Sequence, residues 1–188
     1  MNENPSDPQA RRSVTDLIAE AENGDAHAQN EVGKALFLGQ LGLAKNEKQA
    51  VKWFRKAAEQ NHADAQYNLG WRYADGRGVP KDEAEAVKWF RRAAEQDHSD
   101  AQAHLGRCYY NGIGVKKDLF EAYKWESLAR VKGRSGLSMQ IVDQLEEQLS
   151  MEQVSEVQRL CRVFKPRHGS DPRGISWEDE NDRRKPIP

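Results

Sequence analysis

The sequence predicts an all-α protein, an array of repeated helix pairs stacked one on the next. Residues 50–66 read AVKWFRKAAEQNHADAQ and residues 86–102 read AVKWFRRAAEQDHSDAQ, so 14 of 17 positions match at an offset of 36. A weaker third copy carries Trp125, another 36 residues beyond Trp89, itself 36 beyond Trp53. Within a copy, Ala86, Trp89, Phe90, Ala93 and Ala94 fall at i, i+3, i+4, i+7 and i+8, the stripe of a helix with one buried face. A fixed period in the range of roughly 20–50 residues marks units that bury their apolar faces against their neighbours.

Taken in order, residues 1–11 (Pro5, Ser6, Asp7, Pro8) offer nothing to bury and read as a disordered lead-in. A helix is expected from about Val14, and AEAENGDAHAQ (19–29) matches KAAEQNHADAQ (56–66), which makes this stretch the second half of a repeat used as a cap. Repeats then fill residues 12–134: an N-terminal half-repeat and about three full ones. The first helix of each carries Ala65, Leu69 and Tyr73, or their equivalents, on one face. Gly33, Gly70 and Gly106 recur beside that face, where a neighbouring helix is expected to cross closely. Gly39, Gly76 and Gly112 end these helices. Asn46-x-x-Gln49, Asp82-x-x-Glu85 and Asp118-x-x-Glu121 have capping-box spacing and open the second helices. Lys88, Arg91, Arg92 and Glu95 are assigned to the solvent side. Two more helical stretches, 137–149 and 151–164, read as a C-terminal capping pair within 135–165. Residues 166–188, with five acidic and five basic side chains in 23, read as a disordered charged tail, its Trp177 region a linear motif or a self-ligand.

Composition narrows the function classes. The 29 basic and 30 acidic residues are interspersed, for a net charge of −1, which argues against a nucleic-acid or anionic-membrane binder. The first residues hold no apolar core for a secretory signal, and no run of about 18 apolar residues occurs, so neither secretion nor membrane insertion is expected. Cys108 and Cys161 are too few for a disulfide framework; two free thiols fit a cytoplasmic protein, with a single bridge left open.

No catalytic constellation emerges, and no cofactor or metal is expected. His62 and His98 take the same turn position in successive repeats and read as turn residues. His104 and Cys108 form an i, i+4 pair without a further cluster to complete a metal shell. The Gly-x-Gly pairs at 76–78 and 112–114 end helices, whereas a phosphate cradle opens one.

The block LGWRYADGRGVPKDEAEAVKWFRRAAEQDHSDAQ resembles the Sel1-like repeat family, relatives of tetratricopeptide repeats, over roughly residues 14–134. The resemblance implies a right-handed superhelical α-solenoid of antiparallel helix pairs and a role in scaffolding protein–protein assemblies. The chain departs from the secreted members that carry one disulfide per repeat, having no paired cysteines within its repeats. In stacked pairs the first helices line a concave groove, and the positions assigned to it are Asn30, Lys34 and Phe37; Tyr67, Trp71 and Ala74; Ala103, Arg107 and Tyr110. These differ from repeat to repeat, and Tyr, Trp and Arg are enriched in binding hot spots. The expectation is a non-enzymatic scaffold that takes a protein or peptide on Lys34, Phe37, Tyr67, Trp71, Arg107 and Tyr110, with no small-molecule substrate. Trp71 packed between repeats is the competing reading for that side chain. The alternative function is an inhibitor or immunity protein for a toxic effector enzyme.

Overall fold

A computed structural model describes residues 13–137 and 139–164. Among them are nine helices and no strand: α1 (Val14–Glu22), α2 (Ala26–Leu38), α3 (Glu47–Glu59), α4 (Ala63–Asp75), α5 (Glu83–Glu95), α6 (Ser99–Asn111), α7 (Leu119–Val131), α8 (Met139–Gln148) and α9 (Met151–Val163). The readings for residues 1–11 and 166–188 lie outside the described residues. Each helix packs on the next in sequence from α1 to α7, and α8 and α9 both pack on α7. Buried apolar side chains form two clusters, one drawn from α1 to α5 and the other from α5 to α9.

Local chemistry sets the helix ends. Asn46, Asp82 and Asp118 accept hydrogen bonds from the backbone N–H of Gln49, Glu85 and Glu121 at 3.0, 2.9 and 3.0 Å, satisfying donors that a helix N-terminus leaves free. The alternate helices begin at Asp25, His62 and His98. Here the two histidines, read from sequence only as turn residues, are N-caps: Nδ1 accepts from Ala65 N at 3.3 Å and from Ala101 N at 3.2 Å. A cap of this kind needs the ring nitrogen unprotonated.

Three contacts repeat along the stack. Phe54 and Phe90 press into Gly33 and Gly70, where a Cβ would lie 2.8 and 2.7 Å from the ring edge. Arg55 donates to the Tyr73 hydroxyl at 2.5 Å, and Arg91 makes the same bond to Tyr109. Arg91 therefore leaves the solvent face to which the periodicity assigned it, because its guanidinium reaches the buried phenol of the next helix. Finally, Gln29, Gln66 and Gln102 donate to the carbonyls of Ala21, Ala58 and Ala94 at 3.0, 3.1 and 3.1 Å. The free oxygens of the first two accept from Gln60 and Gln96 at 2.8 and 2.6 Å, so each glutamine joins the two helices of its own repeat to the carbonyl of the one before.

The third repeat breaks these rules. Glu126 replaces the phenylalanine; it is fully buried, and its carboxylate accepts from the Ser135 hydroxyl and from Gly136 N at 3.0 Å. Lys132 stands where Gln60 and Gln96 stood and pairs with Asp97, which leaves the buried Gln102 Oε1 without a donor. An unmatched buried acceptor costs about 1–3 kcal/mol, and an exposed ion pair returns about 0–1 kcal/mol. Lys132→Gln should therefore raise the unfolding free energy by about 0.5–1 kcal/mol in urea titrations.

Close approach also dictates a glycine at 114, where φ is +66° and a Cβ would sit 2.1 Å from the Glu83 carbonyl oxygen. Gly133 has a similar φ of +72° with nothing within 4 Å of a Cβ. Left-handed backbone costs a non-glycine residue about 1–2 kcal/mol. Gly133→Ala should lose about that much stability, and Gly114→Ala more than about 3 kcal/mol because backbone must also shift. Paired denaturation curves check the difference.

Candidate functional site

The positions assigned to the first helices fall into three registers. Lys34, Trp71 and Arg107 share one, Phe37, Ala74 and Tyr110 a second, and Asn30, Tyr67 and Ala103 a third. The third packs toward the following repeat. Asn30 is buried and accepts from Asn68 Nδ2 at 3.0 Å, and Ala103 is buried beneath Gly136, whose added Cβ would lie 2.1 Å from the Ala103 carbonyl oxygen. Asn30 and Ala103 are therefore inter-repeat packing residues, a correction to their assignment to an open surface. The reason is that the register advances toward the next helix pair along the stack.

Tyr67 belongs to that register and is half-buried. Its ring stacks on His98 at 4.6 Å and meets Trp71 edge-on at 6.5 Å. Trp71, also half-buried, makes edge contacts with His104 at 4.7 Å and Phe90 at 5.9 Å. Arg107 is exposed, its Nη2 2.9 Å from His104 Nδ1. Tyr67, Trp71 and Arg107 thus come together around His104, in an aromatic–imidazole patch that spans α4 and α6 with Phe90 of α5 behind it.

The other three assigned residues have separate surroundings. Lys34 is exposed and pairs with Glu31 of its own helix at 2.9 Å. Phe37 is half-buried with the guanidinium carbons of Arg72 and Arg77 at 3.7 and 4.2 Å from its ring centre. Tyr110 is half-buried with the Lys117 ammonium 5.2 Å from its ring.

Sequence reasoning missed His98, His104, Arg72 and Arg77 as parts of this surface. A comparison of registers carries a signal for two of them: His104 replaces Asn68 and Glu31, and Arg72 replaces Ala35 and Cys108.

The electrostatics follow burial. Burial, with the Arg107 charge beside it, holds the His104 imidazole down to about 4. Burial also pushes His62 below its ordinary value and Tyr67 above its own. The Cys108 thiol is pushed up to about 11 by burial, so it stays protonated, an inert and small apolar group. Both cysteines are free. Among the described residues no group of three or more His, Cys, Asp or Glu side chains could hold a metal ion, and no helix is long and apolar enough to cross a membrane.

A stack of helix pairs with repeated packing slots and variable surface slots defines a helical repeat protein. Three consecutive stretches, residues 26–62, 63–98 and 99–129, match the Sel1 repeat model, and the chain belongs to the Sel1 repeat family. Proteins of this family are generally protein–protein interaction scaffolds. The chain is similar to a Sel1 repeat protein from Oxalobacter formigenes, with 42% identity and a TM-score of 0.60 over 62% of this chain and 48% of that one. It is also similar to c5321, a protective antigen present in uropathogenic Escherichia coli strains, at 36% identity and a TM-score of 0.67. That match covers 80% of this chain and 32% of the antigen, so the chain spans a third to a half of these two relatives. Helicobacter pylori cysteine rich protein B is 26% identical over 65% of this chain and 92% of its own, with a TM-score of 0.52. No curated protein matches the chain significantly.

A histidine whose pKa is lowered on folding binds fewer protons folded than unfolded. Its contribution to stability is complete above about pH 6.5 and falls away as pH drops toward about 4. Discounted for partial exposure of the ring, the loss for His104 is about 1–2 kcal/mol. The stability lost between pH 7 and pH 4.5 should be smaller by that amount in His104→Gln than in wild type, in urea denaturation at both pH values.

Proposed function

We propose that the chain is a non-enzymatic scaffold that binds a protein or peptide on the surface formed by α2, α4 and α6. The observation that carries this reading is the contrast between slots. Packing slots repeat nearly unchanged, as in Gly33/Gly70 with Phe54/Phe90, whereas the surface slots change in every repeat. Packing needs no such variation, and recognition of one particular partner does. Family membership supports the class of function, since Sel1 repeats generally serve protein–protein assembly.

Within the surface, Trp71 and Tyr67 are the apolar anchors, Lys34 and Arg107 the charged contacts, and Phe37 and Tyr110 flank them. Trp71 is packed yet only half-buried, which suits an anchor: the ring is pre-positioned by His104 and Phe90, so little side-chain freedom is lost on binding. α8 and α9 serve as the cap at the end of the array. The cytoplasm is the compartment that suits two free, half-buried or buried thiols. None of the comparisons supports the immunity-protein alternative.

The test is affinity capture from native lysate, with mass spectrometry, for wild type, Trp71→Glu and the Trp71→Glu/Arg107→Glu pair. A specific partner held by wild type should be weakened at least tenfold by Trp71→Glu and lost in the double variant, while circular dichroism retains the helical spectrum. Retention of that partner at unchanged affinity by the folded double variant would sink the assignment.

A further inference from the structure

The slot that opens each helix of the α2, α4 and α6 surface holds Asp25, His62 and His98 in turn. All three accept from the backbone N–H three residues on, Asp25 Oδ1 from Ala28 N at 2.6 Å and the two histidines through Nδ1. The caps differ in the acidity that destroys them. A carboxylate gives up its acceptor only below about pH 4, whereas an imidazole does so near about pH 6.5. A proton on Nδ1 turns the acceptor into a donor facing another donor. It also sets a positive charge at the end of a helix whose macrodipole repels one. On both counts an imidazolium is a poor cap.

Each ring also reaches the preceding helix of the surface. His62 faces His27 of α2 with ring centres 5.9 Å apart, and His98 stacks on Tyr67 of α4 at 4.6 Å. His98 Nε2 lies 3.3 Å from Asp64 Oδ1, which fixes the tautomer: Nε2 keeps its proton for the carboxylate, and Nδ1 keeps its lone pair for Ala101. The charged and titratable groups around His62 are Asp64 of its own helix, His27 and Glu31 of α2, and Asp25 at the cap of α2. Burial is the largest influence and lowers the His62 pKa, with Asp64 opposing and His27 assisting. Folded His62 therefore binds fewer protons than unfolded His62, so its cap is complete above about pH 6.5 and is lost as pH falls. Around His98 are Asp64 and Tyr67 of α4, Asp97 of its own turn, and Asp100 and His104 of α6. Asp97 is paired with Lys132, and Asp100 with Arg134 at 3.2 Å. Asp64 is 64% exposed and holds the ring at Nε2, so it cannot replace the bond lost at Nδ1.

We propose that His62 and His98 make the surface of α2, α4 and α6 acid-sensitive: uptake of one solvent proton at Nδ1 of each ring uncaps α4 and α6 and loosens the ring contacts that tie them to α2 and α4. Water then takes over the Ala65 and Ala101 N–H groups, and the stack that positions Tyr67 loses its fixed partner. At the first of these contacts, protonation of both His62 and His27 sets like charges against each other across α2 and α4. The response is confined to these two places, because α2 is capped by Asp25 and the intervening helices by Asn46, Asp82 and Asp118. The inference adds regulation to the peptide-binding reading and rests on it only for what is released. A ligand seated on Tyr67 and Trp71 is held at neutral pH and let go below about pH 6.

The test compares the full-length chain with its His62→Asn/His98→Asn double variant, since asparagine is a strong N-cap that does not titrate. Both are taken from about pH 7.5 to about pH 5, a window that brackets the ordinary imidazole. NMR follows the imidazole nitrogens, the Tyr67 ring, and the amide protons of Ala65, Ala101 and, as a control, Gln49. Wild type should show an unprotonated Nδ1 on both rings at the upper pH, with the Ala65 and Ala101 amides moving upfield along the rings' own titration curves. The Tyr67 ring signals should move with His98. Gln49, capped by Asn46, should stay in place, as should Ala65 and Ala101 in the double variant. Between the two pH values the thermal midpoint should fall by about 4 °C more in wild type than in the variant. His104, held down to about 4, lies below this window. If the double variant fails to fold, the single variants carry the comparison one cap at a time. A proton already on Nδ1 at the upper pH, cap amides that stay fixed while the rings titrate, or an equal acid response in the variant would each overturn the proposal. Those failures leave the capture experiment at Trp71 untouched, so the two readings fail separately.

Discussion

The structure depends on how closely one helix of each pair can approach the other. A phenylalanine ring occupies the space that a side chain at Gly33 or Gly70 would need, so the two helices share one volume. That contact does more than fill space. It brings the arginine of α3 or α5 within reach of the next repeat's tyrosine, and it sets the glutamines at the spacing where one donates to the other. A helix pair held half an ångström further apart would keep its apolar stripe but lose these polar links. The large–small complementarity therefore specifies the geometry, and the hydrogen bonds are its result.

Most of this was legible in the sequence, because a repeat reports each structural requirement several times. A glycine that recurs beside an apolar face in three copies cannot be an accident of composition, and the caps at Asn46, Asp82 and Asp118 announce themselves by residue type and spacing. The illegible part depends on contacts between copies. His62 and His98 look like turn residues until the ring nitrogen is seen to face a backbone N–H. Asn30 and Ala103 look exposed on a single helix and are covered only by the next element of the stack. Arg91 falls on the polar side of its own helix, yet its partner lies 18 residues away on another. Periodicity describes a helix against an average environment, and these residues answer to one particular neighbour.

The surface slots obey a different logic. Within one register the chain places lysine, tryptophan and arginine, and within another phenylalanine, alanine and tyrosine. The side chains at these slots do not assemble into one cluster. Tyr67, Trp71 and Arg107 gather around His104, whereas Phe37 belongs to a separate cationic corner and Lys34 is engaged with Glu31. The array thus offers distinct chemical addresses along its length, an arrangement that suits an extended ligand better than a compact one.

The unmatched Gln102 and the buried Glu126 bear on how such a molecule changes size. Within the interior, the unit 63–98 donates from Gln66 to the Ala58 carbonyl of the unit before it and offers its own Ala94 carbonyl to Gln102 of the unit after it. A tandem copy of that unit would find its bonding partners already present. At the third repeat the pattern changes: Lys132 offers a charge where an amide is wanted, and Glu126 is committed to the backbone of the segment that closes α6. Growth by duplication is therefore open in the middle of the chain and blocked at this end. Evolution can lengthen the molecule without first redesigning its terminus.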